Sequence, residues 1–181
     1  MASLREERRR AREAGEEYAD LLDVGIELDP GAPLPHVLAD GRSVFVLFYL
    51  RADSHLPHST AVTVVTPQAA HEPIGLIEFT GAHSVKFGRP NDEALHGHPL
   101  HGRGLEAYEV HEVRNSRWIS EAERINSVHP GHRPGWHDTL RHFVVTFHDE
   151  MLECLAGDLR TEIHHSSLAD AVTATAGRML T

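Results

Sequence analysis

Apolar residues recur along this chain at two different periods, and the change from one to the other divides it. Over residues 4–22, Leu4, Ala11, Ala14, Tyr18, Leu21 and Leu22 fall at roughly helical spacing among arginines and glutamates that can pair at i, i+4. This predicts a surface-packed helix and an N-terminal helical extension over 1–28. The run Asp29-Pro30-Gly31-Ala32-Pro33-Leu34-Pro35 stops it, because proline removes a donor and disfavours helical geometry in the residue before it. Past Asp40-Gly41, segments 43–51 (SVFVLFYLR), 60–66 (TAVTVVT) and 74–80 (IGLIEFT) are rich in β-branched and aromatic residues. They predict three strands, the first two near a sheet centre.

Residues 81–104 lose this periodicity and carry five glycines, two prolines and four histidines. A loop of that length in a compact domain is functional or disordered. Alternation resumes over 105–113 (LEAYEVHEV), but neither face is cleanly apolar, so this strand is expected at an edge. Ser116 can N-cap a helix over 117–127 that turns Trp118, Ile119, Ala122 and Ile125 inward, and the stretch from His129 to Gly135 ends it.

Residues His142 to Asp149 and Leu152 to Ala156 each alternate, which predicts a hairpin turning at Asp149-Glu150. Phe143, Val145, Phe147, Leu152, Cys154 and Ala156 then share the core side, with Phe147 opposite Leu152. The other side shows His142, Val144, Thr146, His148, Met151, Glu153 and Leu155, with His148 and Glu153 as near diagonal neighbours. A last helix over 166–181 starts from Ser166 or Ser167, with Leu168, Ala171, Val172 and Met179 apolar. The fold expected is a single α+β core domain over 29–165. Its sheet is mainly antiparallel, curved or half-barrel, with flanking N- and C-terminal helices.

Charge and cysteine content narrow the partners. The formal charge is −10 with histidine neutral and would be +6 with all sixteen imidazoles protonated (−10 + 16). An acidic chain repels phosphate backbones, so nucleic acid is not an expected partner; Arg8, Arg9, Arg10 and Arg12 are offset by Glu6, Glu7, Glu13, Glu16 and Glu17. No apolar stretch reaches the length of a membrane span and the N-terminus lacks the apolar region of an export signal, so no membrane is expected. Cys154 is the only cysteine, which excludes an intramolecular disulfide and cysteine-built zinc fingers and suits a reducing cytoplasm. Lys86 is the only lysine and stands in no GxxxxGK[ST] motif, which argues against P-loop and Schiff-base chemistry.

Four stretches carry a family likeness: GAPLPHVL at 31–38, FGRPNDEALHGHPL at 87–100, NSRWI at 115–119 and HFVVTFHDEMLECLA at 142–156. Together they resemble a bacterial family of uncharacterised single-domain proteins over most of residues 30 to 160. The resemblance implies one domain and brings neither an activity nor a cofactor.

The chemistry lies in the histidines, most of which fall between His83 and His165. Imidazole titrates between pH 5 and 8 and is the commonest metal ligand, so the enrichment suggests a metal site, acid/base work or a pH response. Three clusters compete. The first is His96-x-His98-x-x-His101, where an HxH pair on an extended segment would point both rings one way toward a metal. The second is His129, His132 and His137, joined to His142 and His148 if the helix exit packs over the polar side of the hairpin. Two of these histidines with Glu153 would leave open positions on an iron, manganese or zinc ion. Without metal, His148 and Glu153, with His142, would form an acid/base group. The third is Asn91, Asp92 and Glu93 with His83, where Asx-turn chemistry also accounts for Asn91 and Asp92. Tyr108, Trp118 and Trp136 are candidates for pocket walls, although core packing is the commoner use of such side chains. Cys154 falls on the core side, where a thiol is inert.

The expected function is a small-molecule enzyme with a histidine-rich pocket. It would use metal-assisted or His/Glu acid/base chemistry for hydrolysis, isomerisation or oxygenation, with a homodimer left open. The alternative is a non-catalytic binding module that responds to pH.

Overall fold

In the computed structural model, residues 4–51, 66–68 and 72–180 are described. Among these residues three α-helices, α1 (Leu4–Glu13), α2 (Arg117–Asn126) and α3 (Leu168–Met179), accompany nine strands. The strands are β1 (Tyr18–Leu21), β2 (His36–Ala39), β3 (Ser43–Tyr49), β4 (Ile74–Thr80), β5 (Ser84–Gly88), β6 (Val110–Arg114), β7 (Arg141–Thr146), β8 (Met151–Ala156) and β9 (Asp158–His164). The α+β class, antiparallel pairing and terminal helices are as the sequence predicts. The strands are divided between two open sheets, ordered β1-β6-β7-β8-β5 and β2-β3-β4-β9.

The sheets face each other across a core of Val44, Val46, Phe48, Ile77 and Phe79 from one and Val110, Phe143, Val145, Phe147, Leu152, Cys154 and Ala156 from the other. Phe48 meets Phe147 edge-on with ring centres 5.1 Å apart, and Phe79 meets Phe143 at 5.6 Å. The central strands are also buried on their outer sides. Phe45, Leu47, Tyr49, Ile74 and Leu76 pack with Leu168 and Ala171 of α3. Ala19, Val113, Val144 and Met151 pack with Leu95, Leu100 and Leu105 from the segment between β5 and β6. Burial on both faces explains the near-continuous apolar run of β3.

Several expectations need correction. The N-terminal helix stops at Glu13, and Gly15 follows with φ +68, the left-handed conformation that glycine adopts without penalty. Residues Tyr18–Leu21 then pair with β6, so the segment read as a helical extension supplies a strand to the core sheet. As a result β6 lies between β1 and β7 and not at an edge, and it spans only Val110–Arg114. Its polar residues are accommodated: the Glu112 carboxylate is 2.6 Å from both Arg114 and Arg141. Residues 81–104 are not one loop, since they hold β5 and two 3-10 turns, Asp92–Gly97 and His101–Arg103. Strands β2 and β9 were not expected either. The strand expected over 60–66 lies, but for its last residue, outside the described residues.

Helix α2 starts as predicted, with the Ser116 side chain accepting from Ile119 N–H at 3.2 Å, but Ile125 is exposed. The cap of α3 is Ser167. The β7–β8 hairpin keeps its predicted faces but turns on His148-Asp149, closed by Phe147 N–H to Glu150 O at 2.9 Å. Val145 therefore stands opposite Leu152, and Phe143 opposite Cys154. No helix among the described residues is long and apolar enough to cross a membrane.

Phe147 joins the sheets through Phe48 and is almost wholly buried. Phe147→Ala is expected to lower unfolding free energy by about 3–5 kcal/mol, the range for truncating a buried aromatic. Urea denaturation should show a lower midpoint with an unchanged slope.

Candidate functional site

Histidines gather at three places, and in each the fold selects a carboxylate partner. On the outer side of the five-stranded sheet, His142 Nε2 lies 3.0 Å from Glu153 Oε2, diagonally across β7 and β8. A carboxylate only accepts, so Nε2 carries the proton, and the Ser116 hydroxyl donates to Nδ1 at 2.9 Å. Trp118 meets the His142 ring edge-on at 5.2 Å, and Lys86 Nζ is 3.6 Å from the Trp118 ring centre and 3.4 Å from Glu153 Oε1. Burial pushes the Glu153 carboxyl up, but the His142 hydrogen bond and then the Lys86 charge outweigh it and leave the pKa below its ordinary value. Three predicted site residues, His98, His142 and Glu153, thus share a neighbourhood with Trp118. Both ring nitrogens of His142 are taken by protein partners.

His148 is not with them. As a turn residue it leaves the polar side of the hairpin, and its Nδ1 sits 3.0 Å from Asp92 Oδ2, which also takes the Tyr108 hydroxyl. That phenol hydrogen bond holds Asp92 below the usual carboxylate range and pushes Tyr108 up to about 12. Asn91 caps the first 3-10 turn by accepting from Ala94 N–H at 3.3 Å, and Glu93 is exposed. Of Asn91, Asp92 and Glu93 only Asp92 meets His148 and Tyr108, and His83 lies elsewhere.

The third place is the segment after α2, where one carboxylate gathers the chain. Glu123 takes His132 Nε2 at 2.9 Å, the Gly135 N–H at 3.2 Å and His137 Nδ1 in a short hydrogen bond. The His137 bond is the main cause of a lowered Glu123 pKa. Asn126 Nδ2 donates to His137 Nε2 at 3.0 Å and to Ala122 O at 3.1 Å, so both the amide orientation and the Nδ1–H tautomer follow from the partners. His83 stands edge-on to the buried His137 ring at 5.1 Å. Loss of water, and then the nearby His137, hold the His83 pKa below that of a free imidazole. Its Nδ1 is 2.8 Å from Ser84 Oγ, and Nε2 has no partner among the described residues. His83, His129, Trp136, His137 and Arg42 help line an open cavity of about 550 Å³. The sequence pointed to His83, His129, His132 and His137, but Glu123, Asn126 and Arg42 were missed, since a helix-face glutamate and asparagine and a turn arginine look like solvated surface.

The expected ligand clusters do not assemble. His96 Nδ1 bonds Glu93 O at 2.9 Å, and His98 Nδ1 accepts from Leu100 N–H at 3.2 Å. These residues and His101 sit on or beside 3-10 turns, not on the extended segment that would align an HxH pair. His129 Nδ1 accepts from Gly131 N–H at 3.0 Å, while His132 goes to Glu123. Among the described residues no three His, Cys, Asp or Glu side chains group so as to hold a metal ion. Cys154 is buried on the core side as expected, and burial pushes its thiol up to about 12. The chain matches no protein-family model, no curated protein and no solved structure.

His111 was not expected to matter, yet it is wholly buried in β6. Its Nε2 accepts from Glu106 N–H at 3.2 Å, so Nδ1 carries the proton and has no partner. Burial, and then the charge of Arg8, lower its pKa to about 4. At pH 7 the ring is neutral in folded and unfolded chains alike. Below the unfolded value of about 6.5 the unfolded chain binds a proton that the folded chain refuses, and stability falls until the folded ring protonates near pH 4. This residue is expected to remove about 3 kcal/mol across that window. His111→Gln, which keeps an acceptor for Glu106, should flatten that part of the profile in urea unfolding at pH 7, 5.5 and 4; an unaltered slope would refute the assignment.

Proposed function

We propose that this protein is a small-molecule enzyme using general acid/base chemistry in the histidine-lined cavity beside α2. The observation that supports this most is the presence of two imidazoles, His83 and His129, in the lining of one cavity, backed by a third, His137, whose tautomer Glu123 and Asn126 fix. His83, with its lowered pKa, is neutral at pH 7, and its free Nε2 is the base. His129, whose Nδ1 accepts from the backbone, presents its Nε2–H as a hydrogen-bond donor that polarises the substrate, and the proton taken by His83 is given back from His83 Nε2. His137 is a positioning residue that holds the His83 ring edge-on. Proton removal at one substrate atom and return at another is an isomerisation; removal from a bound water is a hydrolysis. A reducing cytoplasm suits the single buried thiol.

A second reading, a binding module without turnover, draws on the same region. Ile125, Val128 and Trp136 are 56%, 87% and 61% exposed there, which is much apolar surface for one short stretch.

Turnover separates the two. Incubated with a small-molecule extract of bacterial cells, the protein should convert at least one compound seen by mass spectrometry. His83→Ala should slow that conversion by about 10²–10⁴-fold. The wild-type kcat/KM should fall on acidification with a midpoint below about pH 6.5, because the base must be unprotonated. An extract left unchanged, or changed equally by the variant, would refute the proposal.

A further inference from the structure

We infer, building on acid/base chemistry at this site, that the cavity takes a small aromatic carboxylate, with its carboxylate on Arg42 and its ring on Trp136. Charge points first to an anion. The chain carries 27 acidic residues and a net charge of −10, yet no carboxylate is among the described side chains that line this cavity. Among the described lining residues the one formally charged group is the Arg42 guanidinium, joined by three imidazoles and the Asn126 amide.

Arg42 is held by its backbone. Its N–H donates to Asp40 Oδ1 at 2.7 Å and its carbonyl accepts from Ala82 N–H at 3.0 Å, which ties the β2–β3 turn to the turn after β4. Among the described residues the guanidinium makes no hydrogen bond or ion pair, and the Asp40 carboxylate feels its charge only at longer range. A planar fork of donors in that state matches a carboxylate bidentately.

Shape points to a flat ring. Trp136 is largely exposed at the cavity, and one side of its indole lies against the His132 ring, nearly parallel at 22° with centres 6.4 Å apart. His132 is itself fixed by Glu123 at 2.9 Å, so the indole rests on a support anchored to α2. Offset stacking on such a surface favours an aromatic ligand. A volume of about 550 Å³ is ample for a single ring with a carboxylate.

The test uses benzoate, benzamide and benzylammonium, which share a ring and differ in charge. Trp118→Phe leaves Trp136 as the only tryptophan of the two in the chain, so emission reports on this cavity. Benzoate should quench it saturably, and the neutral and cationic probes should bind at least ten times more weakly. Arg42→Ala should weaken benzoate at least tenfold and leave benzamide unchanged. In the wild-type protein, benzoate should also shift the His83 and His129 ring resonances, a readout that does not depend on either variant folding. Benzamide binding as well as benzoate, or benzoate binding unaffected by Arg42→Ala, would overturn the substrate class. Binding and turnover fail separately: His83→Ala should keep benzoate binding while losing conversion, so loss of charge selectivity sinks only the ligand, and absence of turnover sinks only the enzyme.

Discussion

Packing of Phe48 on Phe147 and of Phe79 on Phe143 holds the two sheets face to face, and most of the remaining structure follows from it. Once β3, β4, β7 and β8 are buried on that side, their outer apolar residues must be covered as well, because exposed aliphatic and aromatic surface costs roughly 25 cal/mol per Å². Helix α3 covers one outer face through Leu168 and Ala171, and the segment between β5 and β6 covers the other through Leu95, Leu100 and Leu105. Polar side chains on that second face cannot reach bulk water freely. They pair instead, as His142 with Glu153 and Ser116.

The cavity depends on a smaller version of the same constraint. The segment from His129 to Leu140 has no helix or strand of its own, and its prolines and glycines give it little local preference. Glu123, half-buried on α2, supplies the order by accepting from Gly135 and His137 while lying 2.9 Å from His132 Nε2. One carboxylate thereby fixes a histidine behind His83 and the support beneath Trp136. Hydrogen bonds to a charged acceptor are stronger than neutral ones, which lets a single residue hold an irregular loop.

Where local signals agreed, the chain could be read directly. Alternation over β7 and β8 assigned every core residue to its face, and Ser116 marked the first turn of α2. A turn placed one residue late left the faces intact, since moving the pairing by two preserves the period of a strand, but it removed His148 from Glu153. The error at β1 had wider effects. Four residues, YADL, are too short for their alternation to compete with the helical pattern before them, and the missing strand left β6 as an apparent edge. Likewise β5 and β9 carry charged or glycine residues that only pairing with a neighbour makes extended, and β2 is four residues long.

By itself the sequence determined the α+β class, the antiparallel pairing, the buried inert thiol and the concentration of imidazoles between His83 and His165, because each rests on periodicity or residue chemistry. Only the tertiary structure decided which carboxylate each histidine meets. His142 took Glu153, His148 took Asp92, and His132 and His137 took Glu123. Those choices depend on strand register, on a turn position and on the exit of a helix, and hydrogen-bond geometry is lost with a displacement of about 1 Å, which no pattern of residue types along a chain can specify.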